Sequence, residues 1–394
     1  MRKAFVGFCA AATTVLLAVT CANAQQTVKI GLILPYTGQF TDPATQLDNA
    51  IKLYMQQHGD TVAGKKIEII RRDTGGVAPD VAKRIAREFV VNDNVDILAG
   101  FLLTPNALAV ADVSEQAKKF MVVMNAATSI ITTKSPYIAR TSLTLPQTME
   151  VLGAWAHKNG VRKVYSMVSD YGPGVDAETA FHRTFKEAGG EIIGSVRFPV
   201  MNPDFSAFVQ RAKDSDPDAI FVFAPGGSQP VALAKTFLER GIDPRKIKIL
   251  GQGEITDERS LKNMGDAALG IITALHYDYN HASTLNREFV KAYNAAYARN
   301  PDLYSIGGYD GMHLIYETLK KTAGNTDAEA LIAAAKGMQW ESPRGPISID
   351  PETRDIIQTV YIRRVEKVGG ELRNVEFEKF DNVKDPAKAR MKTN

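Results

Sequence analysis

Residues 27–40, TVKIGLILPYTGQF, form an apolar run of strand length that breaks at Pro35 into a loop carrying Gly38. An unbroken apolar stretch such as 30–34 suits a strand covered on both faces, and such strands belong to parallel sheets flanked by helices. Similar runs follow at 66–71, 95–99, 120–124, 163–168, 191–196, 219–223, 246–250 and 270–274. Between them the apolar residues change to helical spacing, as with Val81, Ile85 and Phe89, or Phe205, Phe208, Val209 and Ala212. These stripes are core. The alternation predicts an α/β fold of parallel sheets with crossover helices.

The unit of strand, Gly/Pro-rich loop and helix recurs in the first half and again after about residue 160, which predicts two similar lobes. Passages between lobes are expected at 140–146, at 275–280 and through an extended block, 345–365, with a turn at 350–354. Lobe 1 then comprises 25–144 with 275–352, including the helical segments 283–299 and 307–322. Lobe 2 comprises 145–274 with 353–385, and 386–394 form a tail. No low-complexity linker separates the lobes, which favours a hinge of several strands. The charged segment after Asp381 is expected to fray.

Upstream of residue 27, Arg2 and Lys3 precede an apolar run, 4–19, and a small-x-small site, Ala22-Asn23-Ala24. That order predicts a signal peptide, 1–24, cleaved after Ala24, and hence a periplasmic protein. The run is too short to span a bilayer. Val19 and Thr20 are poor neighbours for lipid attachment at Cys21. Both cysteines, Cys9 and Cys21, lie in this leader, so the mature chain has no disulfide, thiol nucleophile or thiolate metal site. The full chain carries a formal charge of +3, and Arg2 and Lys3 leave with the leader. The near-neutral remainder offers no electrostatic footprint for nucleic acid or an anionic membrane.

Motifs for phosphate-binding loops, serine hydrolases and zinc proteases are absent, and the glycine pairs 172/174 and 251/253 lack the third glycine of a dinucleotide fingerprint. The six histidines are scattered; His276 and His281, five apart, share no helix face. No catalytic residue, metal or cofactor is expected. The informative loops all follow strands, where open parallel sheets bind ligands. Phe101, Leu103 and Thr104 follow one strand, and Ala126, Thr128 and Ser129 another. Both loops open helical segments, whose free N–H groups and hydroxyls can hold a carboxylate, or can simply be capped by Thr104, Thr128 and Ser129. In the second half, Tyr171, Ser228 and Glu254 occupy the matching loops. Tyr171 could stack on a ligand and Glu254 could pair a cation, or each could serve packing and solvation.

Taken in order, KIGLILPYTG at 29–38, G-x-x-x-T at 100–104, AAT at 126–128, YGPG at 171–174, GYD at 308–310 and GPISID at 345–350 resemble the leucine/isoleucine/valine-binding family of extracytoplasmic solute-binding proteins of ABC transporters. The resemblance covers the mature chain and implies two Rossmann-like lobes joined by a three-strand hinge. It also implies a ligand carboxylate held at Leu103, Thr104, Ala126 and Thr128, with Tyr171 as a cleft aromatic. It departs from the amino-acid binders at three places. The acid near the first crossing is replaced by Leu145, an aromatic by Ser228, and Glu254 stands one residue from the expected acid. A buried ammonium without an acidic partner is costly, so an apolar or aromatic acid lined by Phe101, Tyr36 and Tyr171 is favoured over a branched-chain amino acid. The implied partners are a small carboxylate solute and a membrane permease with its ATPase; the protein is expected to act as a monomer. A sensor of the same fold, and an exported enzyme using Asp170, Asp310 or Glu254, are the alternatives.

Overall fold

The computed structural model describes residues 26–244 and 246–391. The expected leader and its cleavage after Ala24 lie outside the described residues. The first sheet holds β1 (Thr27–Leu34), β2 (Thr61–Val62), β3 (Lys65–Asp73), β4 (Ile97–Gly100), β5 (Phe120–Val123) and β6 (Ile138–Arg140), in the order β2-β3-β1-β4-β5-β6. Only the β2–β3 hairpin is antiparallel. The opening strand sits at the centre of this sheet, which is why its residues read as continuously apolar. Helices α1 (Thr41–His58), α2 (Pro79–Val91) and α3 (Thr104–Gln116) flank it. Val28, Ile30 and Leu32 face one core, and Ile33 joins Ile85 and Phe89 in another.

α4 (Leu145–Lys158) begins the second lobe. Its start is fixed by Thr144-x-x-Gln147: the Gln147 side chain accepts the Thr144 N–H (2.8 Å) while the Thr144 hydroxyl accepts the Gln147 N–H (3.4 Å). The second sheet contains β7 (Lys163–Ser169), β8 (Glu191–Phe198), β9 (Ala219–Phe223), β10 (Lys248–Gln252) and β11 (Ile272–Leu275), all parallel. Between and after them run α5 (Gly172–Glu187), α6 (Ser206–Asp214), α7 (Gln229–Glu239) and α8 (Glu258–Met264). The chain then returns as α9 (Thr284–Tyr297) and α10 (Leu303–Lys321), which pack on α1, and α11 (Ala328–Ala335) beside β5. β12 (Gln339–Ser342), β13 (Gly345–Ile349), β14 (Ile356–Val368) and β15 (Glu371–Val383) add antiparallel strands beyond β11.

The segments passing between sheets lie side by side. Arg140 N–H donates to Arg354 O (3.0 Å). The fully buried Arg344 donates to Ser142 O (3.1 Å) and pairs with Asp310 (2.8 Å). As far as Met391 the charged segment is structured and not frayed: β15 runs on through Asp381, and α12 (Pro386–Met391) docks with Lys388 buried against Asp355 and Thr132. Among the described residues no helix is long and apolar enough to cross a membrane.

Candidate functional site

The carboxyl ends of the parallel strands in both sheets face one cavity. From the first lobe, β4 runs through Phe101, Leu102 and Leu103 into α3. Phe101 takes a left-handed backbone (φ 63°) and is buried in the core beneath the sheet, which leaves Leu102 and Leu103 to line the cavity. Asn125 Nδ2 donates to Leu102 O (2.9 Å) and Ala126 N–H to Phe101 O (2.9 Å), locking the two cavity-facing loops together. The Thr104 and Thr128 hydroxyls are hydrogen-bonded to each other at 3.0 Å. Arg140, fully buried, donates to Thr128 O (2.7 Å) and pairs with Asp355 (3.2 Å). Leu145 N–H donates to Ala127 O (3.0 Å), which brings the first residue of α4 to the cavity wall.

From the second lobe, Tyr171 precedes α5 in an extended conformation, and its ring stands 6.2 Å from that of Phe223. Pro225 and Gly226 follow β9. Glu254 lies on a short 3₁₀ turn after β10, oriented by its own N–H donating to Gln252 Oε1 (2.6 Å). Its Oε2 accepts the Gly226 N–H (2.9 Å). Burial, reinforced by Asp257 and only partly offset by that hydrogen bond, pushes the Glu254 carboxyl up to about 7. Burial and the neighbouring Glu254 also raise the Tyr171 and Tyr304 phenols well above their ordinary range.

The lobes are closed on one another. A Cβ on Gly172 would stand 3.3 Å from Thr128 Oγ1, one on Gly226 only 1.8 Å from the Tyr304 hydroxyl, and one on Gly227 only 2.4 Å from Gln39 O. Ser129 N–H donates to Asp176 of α5 (2.9 Å), Gln39 to Val200 O (3.3 Å), and Arg259 pairs with Asp42 (3.2 Å). A small cavity remains between them, walled by Phe40, Leu102, Leu145 and Phe223 together with Asn125 and Glu254.

Of the residues singled out in the sequence, Leu103, Thr104, Leu145, Tyr171 and Glu254 line this cavity, and Thr128 adjoins it through Thr104. Ala126 contributes backbone while Ala127 faces the cavity. Phe101 is in the core, and Tyr36 packs on the first lobe with its N–H bonded to Asp73 (2.7 Å). Ser228 lines a separate crevice at the lobe rim with Gln39, Asp42 and Arg259. Phe40, Asn125, Phe223 and Tyr304 were not legible as site residues. Phe40 and Phe223 only end the stretches 27–40 and 219–223 and carry no motif of their own, and Tyr304 lies far along the chain on α10. Asp310 is engaged by Arg344, Trp340 and Ser342, and Asp170 is mostly exposed beside Arg197.

A family model described as periplasmic binding protein matches residues 27–371. Leu/Ile/Val-binding protein homolog 6 of Brucella melitensis is 43% identical over 362 residues, 91% of this chain and 93% of that protein. An ABC-transporter solute-binding protein of Rhodopseudomonas palustris BisB5, solved with 3,4-dihydroxybenzoic acid, is 55% identical with a TM-score of 0.89, covering 92% of this chain and 99% of that one. A second, from R. palustris with 4-hydroxybenzoate, is 40% identical with a TM-score of 0.90, covering 93% and 100%. With its two α/β lobes shut over a cavity at the strand ends, this chain belongs to the periplasmic binding protein family, as a solute-binding protein of the ABC-transporter type.

Proposed function

We propose that this protein captures an aromatic carboxylate, of the 4-hydroxybenzoate class, in the periplasm and delivers it by hinge closure to a membrane permease driven by an ATPase. The observation that carries this reading is the cavity itself. Its walls carry rings, prolines and leucines beside Asn125 and Glu254, its first-lobe side offers the Thr104 and Thr128 hydroxyls at the start of α3 and the 128–129 turn, and Leu145 lines it at the position where the resemblance to the amino-acid binders leads one to expect an acid. A carboxylate suits hydroxyls and free N–H groups at a helix start, and a flat apolar body suits the remaining wall. The likeness to proteins solved with hydroxylated benzoates supports the same class. Closure follows from the contacts that join the lobes, because a solute touching both favours the closed arrangement by that difference in energy.

One observation favours a second reading: Glu254 is a buried acid without a cationic partner among the described residues, and an α-amino acid could supply one. Calorimetry of the mature protein with 4-hydroxybenzoate, 3,4-dihydroxybenzoate, leucine and valine separates the two. Micromolar or tighter binding of the aromatic acids with none of the amino acids is the expected result. The reverse order overturns the proposal. Mass spectrometry of solute released on denaturation, recovered unchanged, tells against enzymatic turnover.

A further inference from the structure

Glu254 stands on the second lobe, whereas Thr104 and Thr128 stand on the first, and all three border one cavity or adjoin it. An occupant whose carboxylate meets the threonines therefore presents its opposite end toward Glu254. That carboxylate is held away from water with a single amide donor, Gly226 N–H, and no ion pair among the described residues. A carboxylate can accept several hydrogen bonds, and a buried charge left short of them is costlier than a neutral group in the same position. Its other neighbours do not supply a cation: Asp257 is an acid, and Tyr171 and Tyr304 are phenols held neutral by burial. Neither phenol hydroxyl is bonded to it in this arrangement, so an occupant can supply the remaining donor. A second carboxylate on the occupant would set two like charges together in a dry site, while a neutral hydroxyl supplies a proton and leaves the apolar walls undisturbed.

We propose, on the basis of the aromatic-acid function above, that Glu254 is the specificity-determining residue: it accepts a hydrogen bond from the ring hydroxyl opposite the carboxylate and so selects 4-hydroxylated benzoates over benzoate. Because this contact exists only once the second lobe has swung in, the hydroxyl is read during closure. It slows release more than it speeds capture.

The test compares mature wild type, Glu254→Gln and Glu254→Leu by calorimetry and stopped-flow kinetics, using 4-hydroxybenzoate, benzoate and leucine. Wild type is expected to prefer 4-hydroxybenzoate by roughly tenfold or more, as for a hydrogen bond to a charged acceptor, with the difference in the dissociation rate. Glu254→Gln, which keeps an acceptor oxygen, retains part of this preference. Glu254→Leu brings the two affinities to within about twofold while still binding benzoate, which also shows that the variant is folded. Equal affinities in wild type, or an unchanged preference in Glu254→Leu, overturn the assignment and leave the aromatic-acid function standing. Leucine binding that Glu254→Leu abolishes identifies an ammonium partner instead. Failure of wild type to bind either aromatic acid removes the proposed function and this selectivity together.

Discussion

At the scale of single residues, Thr128 shows how a site is held. Its hydroxyl is shared with Thr104, its carbonyl is fixed by buried Arg140, and its neighbour Ser129 is bonded to Asp176 and Asp385. Thr128→Val keeps the shape and removes the hydroxyl, so binding of the carboxylate is expected to weaken by about 1–3 kcal/mol; calorimetry with 4-hydroxybenzoate measures it, and unaltered affinity places the anion elsewhere. His276 makes a different point. It is fully buried, neither ring nitrogen has a partner among the described residues, and burial, with Arg344 and Arg363 nearby, holds its pKa well below 6.5. The folded state keeps it neutral, so its contribution to stability is intact above the unfolded pKa and is lost as pH falls below it. His276→Phe is expected to retain stability near pH 7 and to lose less of it than wild type between about pH 6.5 and 5, as read by urea unfolding. Thr104 and Thr128 could be picked out from sequence because hydroxyls before helical turns have a known use. Phe101 could not be placed, since nothing in the residues around it announces a left-handed φ that turns its ring into the core.

Elements were legible where their period was clean and illegible where the pattern was mixed. The parallel strands read as apolar blocks, but β15 mixes half-buried and exposed residues through a run rich in charge, so no clean period marks it as a strand. Its continuation, α12, is held by interactions that no local pattern reveals. Lys388 reaches Asp355, which also pairs with Arg140, while Arg390 reaches Glu150 on α4. Removing the shared acid takes from two buried cations the carboxylate both pair with and leaves them only neighbouring Asp385 and Asp176, so Asp355→Asn is expected to cost about 3 kcal/mol in denaturant unfolding, well beyond a surface substitution. The loop after β9 carries a second element-scale consequence. Gly226 meets the Tyr304 hydroxyl so closely that a methyl group there forces the Tyr304 ring to shift when the lobes are shut. Gly226→Ala should therefore fold normally, stay open, and bind at least about tenfold more weakly, measured by calorimetry beside an unchanged melting temperature without ligand.

For the whole molecule, two lobes were foreseeable from the repeated strand, loop and helix unit, and their joining by several strands from the lack of any linker. The way they meet was not, because Gln39 with Gly227, Asp42 with Arg259 and Ser129 with Asp176 are pairs far apart in sequence. Those bridges form only in the shut arrangement, and a solute touching both lobes adds to them, so binding is expected to shift the protein further toward the shut form. Small-angle scattering should show a smaller radius of gyration on adding 4-hydroxybenzoate, and no change in that radius would argue against closure by this solute. The docked last helix also has a practical use. It touches the short 3₁₀ turn Ser129–Thr133 on one side and α4 on the other, and Met391 at its end is exposed. Since both native cysteines precede residue 25, a thiol introduced at Met391 is unique in a chain produced from residue 25 onward, and a dye placed there is expected to change its emission as cargo binds.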